Sequence, residues 1–301
     1  MTRAAFADSA RAALRAPYIW LALFFLAPLA LVLRISFSKS AIAQPPYEPV
    51  FAYGDSLQEI LSKAQAFSFD AYRGLVSDPL YLESYLTSVG VAALATLLAL
   101  CIAYPLALVI ARSAPRWRGL LIGLAVAPFW TSFLIRVYAW IAILKDEGLF
   151  NHALMALGLI AEPIPIFATT TAVVIGIVYS YLPFTILPIY NALEKQDAAL
   201  REAAADLGAR PLRTFLSVTL PLSMSGVIAG ALLMFIPAVG EFVIPDLLGG
   251  SDTMMIGRMM WNDFFENRDW PAASAGAIAL LVLLVGPILW FERRQAREDA
   301  T

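Results

Sequence analysis

An all-α integral membrane protein, folded as a bundle of six spanning helices, is the class this sequence predicts, and three observations carry the prediction. Of 301 residues, 60% are hydrophobic and only 15% charged, whereas a soluble domain carries about a quarter charged residues. Six stretches are apolar over lengths that suit a hydrocarbon core, which takes about 20 helical residues to cross. Lys and Arg are shared unevenly between alternate loops, as they are when one side of a membrane is favoured by positive charge.

The predicted spans are 17–35, 86–111, 119–144, 167–190, 223–245 and 272–291. The first follows Arg3, Arg11 and Arg15 and superficially resembles a secretion signal. It is longer than most such apolar regions, and no small-residue cleavage site precedes Arg34 and Lys39, so it is read as an uncleaved span. Six spans place both termini on one side. The N-terminal segment, 112–118, 191–222 and 292–301 hold 13 of the 21 Lys and Arg, against six in the longer loops 36–85, 145–166 and 246–271. Both termini and the 191–222 loop are therefore expected in the cytoplasm, with 36–85 outside. That outer loop is acidic, carrying Glu48, Asp55, Glu59, Asp70, Asp78 and Glu83. No internal repeat, low-complexity tract or long linker interrupts 1–301, which reads as a single transmembrane domain.

Composition also excludes functions. One cysteine, Cys101, supports neither a disulfide framework nor a thiolate metal site within the chain. One histidine, His152, rules out a histidine-cluster zinc site and the usual imidazole-assisted nucleophiles. No catalytic residue and no metal ligand is assigned. A net charge of −2 argues against nucleic acid as a partner. Prolines inside predicted spans, at Pro28, Pro105, Pro128, Pro183, Pro188 and Pro237, free carbonyls that lipid cannot satisfy; they read either as packing irregularities or as kinks in a moving bundle.

The 191–222 loop is the most informative segment. Ala198 to Leu207 is rich in strong helix formers. Leu200, Ala203, Ala204 and Leu207 form a narrow apolar stripe at helical spacing, with Arg201, Glu202 and Asp206 off it. Asp197 is placed to cap the helix, Gly208 to end it in the left-handed conformation, and Pro211 to prevent its continuing. Such a helix could lie on lipid or dock into a protein groove; small alanines make a poor lipid anchor, because membrane binding grows with buried apolar area.

Ionisable groups within spans are costly and mark functional suspects. Arg136, in the third span, reads as an ion pair or a snorkelling anchor as readily as a functional group; Glu241, near the end of the fifth, is open between structure and function. Together with Asp246 and the aromatic side chains Trp130, Tyr138, Tyr179, Tyr181 and Phe242, Glu241 makes a candidate path for a small cation, since carboxylates replace its hydration and ring faces attract it. The same aromatic residues could equally be packing.

Glu202, Ala203, Ala204 and Gly208, with Phe215 and the Leu220–Pro221 pair, resemble the EAA loop of ATP-binding-cassette importer permeases. Further likeness to permeases of polyamine importers, the putrescine system above all, lies in PPY at 45–47, DPLYLESYLTS at 78–88, WTSFLIRVYAWIAILKDEG at 130–148 and most of 235–276. The resemblance runs from about Tyr18 to Phe291. It implies the type I importer fold and a location in the bacterial inner membrane. It also implies a coupling helix in which Glu202 contacts an ATPase, Ala203, Ala204 and Leu207 nest in its groove and Gly208 turns the chain. The implied partners are a second, homologous permease, an ATPase dimer that holds the ATP and Mg²⁺, and a periplasmic substrate-binding protein. The implied cargo is a polyamine, putrescine foremost. The alternatives are another small solute on the same architecture, an ion-coupled secondary transporter, which would be expected to show internal repeats, and a lipid-active membrane enzyme, which would need a reactive cluster at one membrane face.

Overall fold

The computed structural model describes residues 17–52 and 54–298, which are mostly helical. In chain order they form α1 (Pro17–Ser36), a hairpin of β1 (Lys39–Ser40) and β2 (Tyr47–Glu48), α2 (Leu57–Gln65), α3 (Asp70–Ser77), α4 (Pro79–Arg112) and α5 (Pro115–Val126), which runs into a 3₁₀ turn, Ala127–Trp130. There follow α6 (Phe133–Leu144), α7 (Leu149–Ala156), α8 (Thr170–Glu194), α9 (Ala198–Asp206), α10 (Pro211–Leu222), α11 (Met224–Val239), α12 (Val243–Leu248), α13 (Ile256–Phe265) and α14 (Trp270–Glu298). Arg3, Arg11 and Arg15 lie outside the described residues.

Each predicted apolar run falls on helix, but two runs are not straight. α1, α4 and α8 are individually long and apolar enough to cross a membrane. Pro115–Trp130 with Phe133–Ala156, and Pro211–Leu222 with Met224–Val239, meet that test only as pairs, bent by 88° and 64°. Trp270–Gly286 is a shorter apolar helix. The unbroken helix expected over 119–144 is thus interrupted, Thr131 and Ser132 being non-helical after the 3₁₀ turn at Pro128; that expected over 223–245 starts at the second bend, Ser223, and is broken separately where α11 ends at Val239, before Gly240 and Glu241.

The chain separates into two compact units, one holding residues up to Leu82 with those from Met259 onward, the other Glu83–Arg258. In the first, α14 packs along α1 and against α3. Only 6% of the apolar window of α1 is buried, a surface that suits lipid rather than water. Beside these helices the Tyr81 hydroxyl donates to Asp263 Oδ2 at 2.7 Å, and Phe264 stacks on Trp270 at 4.8 Å. α2 is ordered by local chemistry: Ser56 and Glu59 form a reciprocal capping box, and Lys63 pairs with Asp55 at 2.6 Å.

In the second unit, α4 carries a stripe of fully buried alanines, Ala92, Ala95, Ala99, Ala103 and Ala107. Small side chains let helix backbones approach where lipid supplies no hydrophobic drive. Ala103, Ala107 and Ile110 meet Ile186, Ile189, Tyr190 and Leu193 of α8 in one buried cluster. α8 and α11 pack more closely still, through Gly226 and Gly230, a G-x-x-x-G pair. A Cβ at Gly226 would meet Pro188 O and Ala192 Cβ, both at 2.6 Å; one at Gly230 would meet Thr185 O at 2.9 Å.

Gly226→Leu should therefore cost about 3 kcal/mol through overpacking and lower the thermal midpoint of the purified protein by several degrees. Gly123→Ala, whose Cβ would meet free space, should leave the midpoint unchanged or raise it slightly, since Ala favours the helix, as a detergent melting curve would report. In α2, the hydrogen bond from Lys63 holds Asp55 below its usual carboxylate range, and the Ser56 backbone bond does the same for Glu59. A depressed pKa contributes order that is complete above the unfolded value and lost as pH falls through the folded one. Amide protection factors in Leu57–Gln65, corrected for the intrinsic pH dependence of exchange, should thus be constant through neutral pH and fall only below about pH 4.

Candidate functional site

Within the second unit a cavity of about 390 Å³ opens where both broken helices face α8. Its walls include Phe129, Phe133, Tyr181, Phe184 and Phe242, with one cation, Arg136, and one anion, Glu241. Arg136 is 9% exposed and Glu241 7%. Charges so withdrawn from water need partners close by, and each has found them at a break in the backbone.

Arg136 serves the first break. Its guanidinium donates to the carbonyl of Pro128, which also receives the Thr131 hydroxyl at 2.8 Å. The guanidinium carbon sits 5.4 Å from the Phe129 ring centre and 5.8 Å from that of Phe133, within cation–π range. Arg136 Nε has no partner among the described residues.

Glu241 serves the second break, with the opposite chemistry. One carboxylate oxygen accepts the backbone N–H groups of Val243 at 3.0 Å, Phe242 at 3.2 Å and Ile244 at 3.4 Å, the unsatisfied donors at the head of α12. The other accepts the Tyr181 hydroxyl from α8. Negative charge at a helix N-terminus is also favoured by the helix dipole. Both oxygens of Glu241 are thereby engaged inside the protein, and what remains open to a guest is the aromatic lining.

Of the residues the sequence singles out, the cavity gathers Tyr181, Glu241 and Phe242, with Arg136 beside them. It does not gather Trp130, which is 81% exposed, or Tyr138, also exposed. Tyr179 packs edge-on against Trp140 at 5.3 Å. Asp246 lies 3.1 Å from Arg258 Nε, an ion pair that falls short of hydrogen-bond geometry. Phe129, Phe133 and Phe184 were missed, although Phe184 follows Tyr181, and Arg136 follows Phe133, at the three-residue spacing that shares a helix face.

Elsewhere in this unit α9 stands as the sequence predicts a bounded helix should. The Asp197 carboxylate accepts Ala199 N–H at 3.0 Å. At the other end Gly208 takes φ +80°, its N–H donating to Ala205 O at 2.8 Å, while Ala209 N–H donates to Ala204 O at 3.0 Å. This is the paired hydrogen bonding of a Schellman cap. No residue of α9 is buried. Glu202 and Ala203 are exposed, Ala204 half-buried and Leu207 89% exposed.

Residues 103–295, nearly two thirds of the chain and including both the cavity and α9, match the family described as binding-protein-dependent transport system inner membrane component. The chain belongs to that family. Among its relatives is the spermidine/putrescine transport system permease protein PotB of Haemophilus influenzae, 40% identical over 269 residues, 89% of this chain and 87% of that one. The PotB protein of Escherichia coli K12 is 44% identical over 218 residues, covering 72% and 79%. The fold matches a crystal structure of a bacterial alginate ABC transporter in complex with an alginate-loaded periplasmic protein, with a TM-score of 0.70 and 17% identity over 98% of this chain and 96% of that one. This permease is accordingly an inner-membrane component with the type I importer fold.

In this permease Glu241→Ala should remove the cap of α12, at a cost of about 1–2 kcal/mol, and speed amide exchange at Phe242, Val243 and Ile244. Glu241→Gln keeps an acceptor oxygen there and should leave those amides protected. Unprotected amides in the Gln variant would show that charge, rather than hydrogen bonding, holds the break.

Proposed function

We propose that this chain is the membrane-spanning subunit of an ATP-driven importer that moves a polyamine, putrescine or spermidine, from periplasm to cytoplasm. The observation that carries the cargo is the 40% identity, over 89% of the chain, to a protein named as a spermidine/putrescine permease. The cavity suits such a cargo. A polyamine is a chain of methylenes between ammonium groups, and the rings of Phe129, Phe133, Tyr181, Phe184 and Phe242 offer apolar contact to the first and π-faces to the second. Glu241 and Arg136 hold the walls in place. Trp130, Tyr138, Tyr179 and Asp246 lie off this cavity and would meet cargo, if at all, along the rest of the path.

The Lys and Arg bias places both termini and α9 in the cytoplasm and the 36–85 loop in the periplasm. Counting each bent pair as one span and α14 as the last makes six, in one permease domain. The partners are a second, homologous permease, an ATPase dimer that holds ATP and Mg²⁺, and a periplasmic substrate-binding protein on the outer loops. α9 is the coupling helix: Ala203, Ala204 and Leu207 enter a groove on the ATPase, Glu202 makes a polar contact at its edge, and Gly208 turns the chain back. Closure of the ATPase dimer on ATP then moves the helices as rigid bodies, and hydrolysis resets them.

The test is uptake of labelled putrescine and spermidine by cells lacking their own polyamine importers and supplied with this permease and its neighbouring genes. Glu202→Lys should reduce uptake at least tenfold, the loss of about 1.4 kcal/mol or more in coupling, with the protein still inserted. Normal uptake by that variant would sink the docking role of α9, and no uptake by an assembled, ATP-hydrolysing wild type would sink the cargo.

A further inference from the structure

A second cavity, of about 480 Å³, lies farther along α8, framed by the end of α4, the start of α5, the end of α8 and the root of α9. Three guanidinium groups line it, those of Arg112, Arg118 and Arg201, against one carboxylate, Glu194. Glu194 is already engaged by Arg118 at 3.3 Å, and Arg118 Nε donates to Ser113 O at 2.9 Å. Arg112 and Arg201 have no hydrogen-bond or ion-pair partner among the described residues, so the cavity holds positive charge in excess.

A second, independent feature points the same way. Thr219, 1% exposed, is among the residues lining this cavity, and its buried hydroxyl has no hydrogen-bond partner among the described residues. It closes the π-helical turn Phe215–Thr219, and its carbonyl is taken by Gln196 Nε2 at 3.0 Å. A buried hydroxyl left without a partner is unfavourable and calls for a ligand atom or water. Arginine residues in excess of carboxylate around one cavity, beside a hydroxyl without a partner, are the recognition chemistry of a phosphate oxyanion.

We propose that this cavity binds a phosphate oxyanion, supplied by the headgroup of an anionic phospholipid, and that the bound group ties Arg112 and Arg118 on the membrane helices to Arg201 on α9. Leu108 and Ala111 on the wall mark the ends of apolar helix, and half-exposed Trp117 with Arg116 beside its ring is typical of the headgroup zone. Basic pockets between helices on the cytoplasmic side are where anionic headgroups bind. The side assignment and the coupling role of α9 rest on the function proposed above; the phosphate site itself does not. A bridging phosphate stiffens the joint at which movement of α9 is passed to α4 and α8.

The experiment is native mass spectrometry of the complete transport complex, equilibrated in mixed micelles of phosphatidylglycerol and phosphatidylcholine. The wild type should retain phosphatidylglycerol preferentially, and the double variant Arg112→Gln, Arg201→Gln should retain it about 30-fold more weakly, on the basis of one decade or less per basic residue near an anionic surface. A parallel arm offers inorganic phosphate in phosphatidylcholine alone. Phosphate that binds there and displaces phosphatidylglycerol would keep the site and assign it to the free ion. Equal retention of both lipids by the wild type, with no effect of phosphate, overturns the proposal even if the double variant fails to assemble. Undiminished preference in an assembled double variant overturns it too. Retention is read without cargo, so absent polyamine uptake alongside intact retention would refute the cargo and leave this site standing.

Discussion

A polypeptide in hydrocarbon must satisfy every backbone N–H and C=O from within the protein, and a helix does this without help until it breaks. This permease breaks twice around one cavity, at Thr131–Ser132 and at Gly240–Glu241. Each break leaves a different debt. The first exposes a carbonyl, which takes a cation, Arg136; the second exposes donors at a helix head, which take an anion, Glu241. The positions of Phe129, Phe133 and Phe242, hence the shape of the cavity, follow from those two repairs.

That arrangement changes the reading of buried charge. Intramembrane ionisable residues are functional suspects because they are expensive, and a carboxylate near a path for cations invites assignment as the cation's ligand. Here the carboxylate is spent on three amides and a tyrosine. In the cargo path proposed above, electrostatic attraction to a cation then comes mostly from ring faces, which bind weakly and over a broad area. Weak, distributed attraction suits a site that has to release what it binds.

Much of this was legible in the sequence where the governing physics is local. Apolar length marked stretches that fold largely as helix, two of them broken, and the limits of α9 followed from Asp197, Gly208 and Pro211 because capping involves residues only a few positions apart. The breaks were not legible. Pro105, Pro183 and Pro188 sit inside continuous helices, whereas Pro128 marks a bend of 88°, and nothing in the immediate neighbourhood of each proline separates the cases. What separates them is a partner: the Arg136 side chain eight residues away, or a tyrosine sixty residues away in the case of Glu241. The aromatic candidates divided for the same reason. Tyr181 and Trp130 look alike in the chain, but Tyr181 lines the cavity from the unbroken α8, whereas the bend at Thr131–Ser132 leaves Trp130 exposed. The Gly226–Gly230 contact, legible in principle as a small-residue pair, owes its importance to the carbonyls of Thr185 and Pro188 opposite it.

α9 holds its shape through its two ends and buries no side chain. An element ordered by local capping rather than by burial is released from most of the interior's constraints. With α9 as the proposed coupling helix, its outward residues can drift, one substitution at a time, to suit a different ATPase while the membrane helices keep their packing. On that proposal, pairing between permease and ATPase rests on the exposed positions of one short helix, a small enough target for lineages of transporters to exchange ATPases or to become insulated from one another.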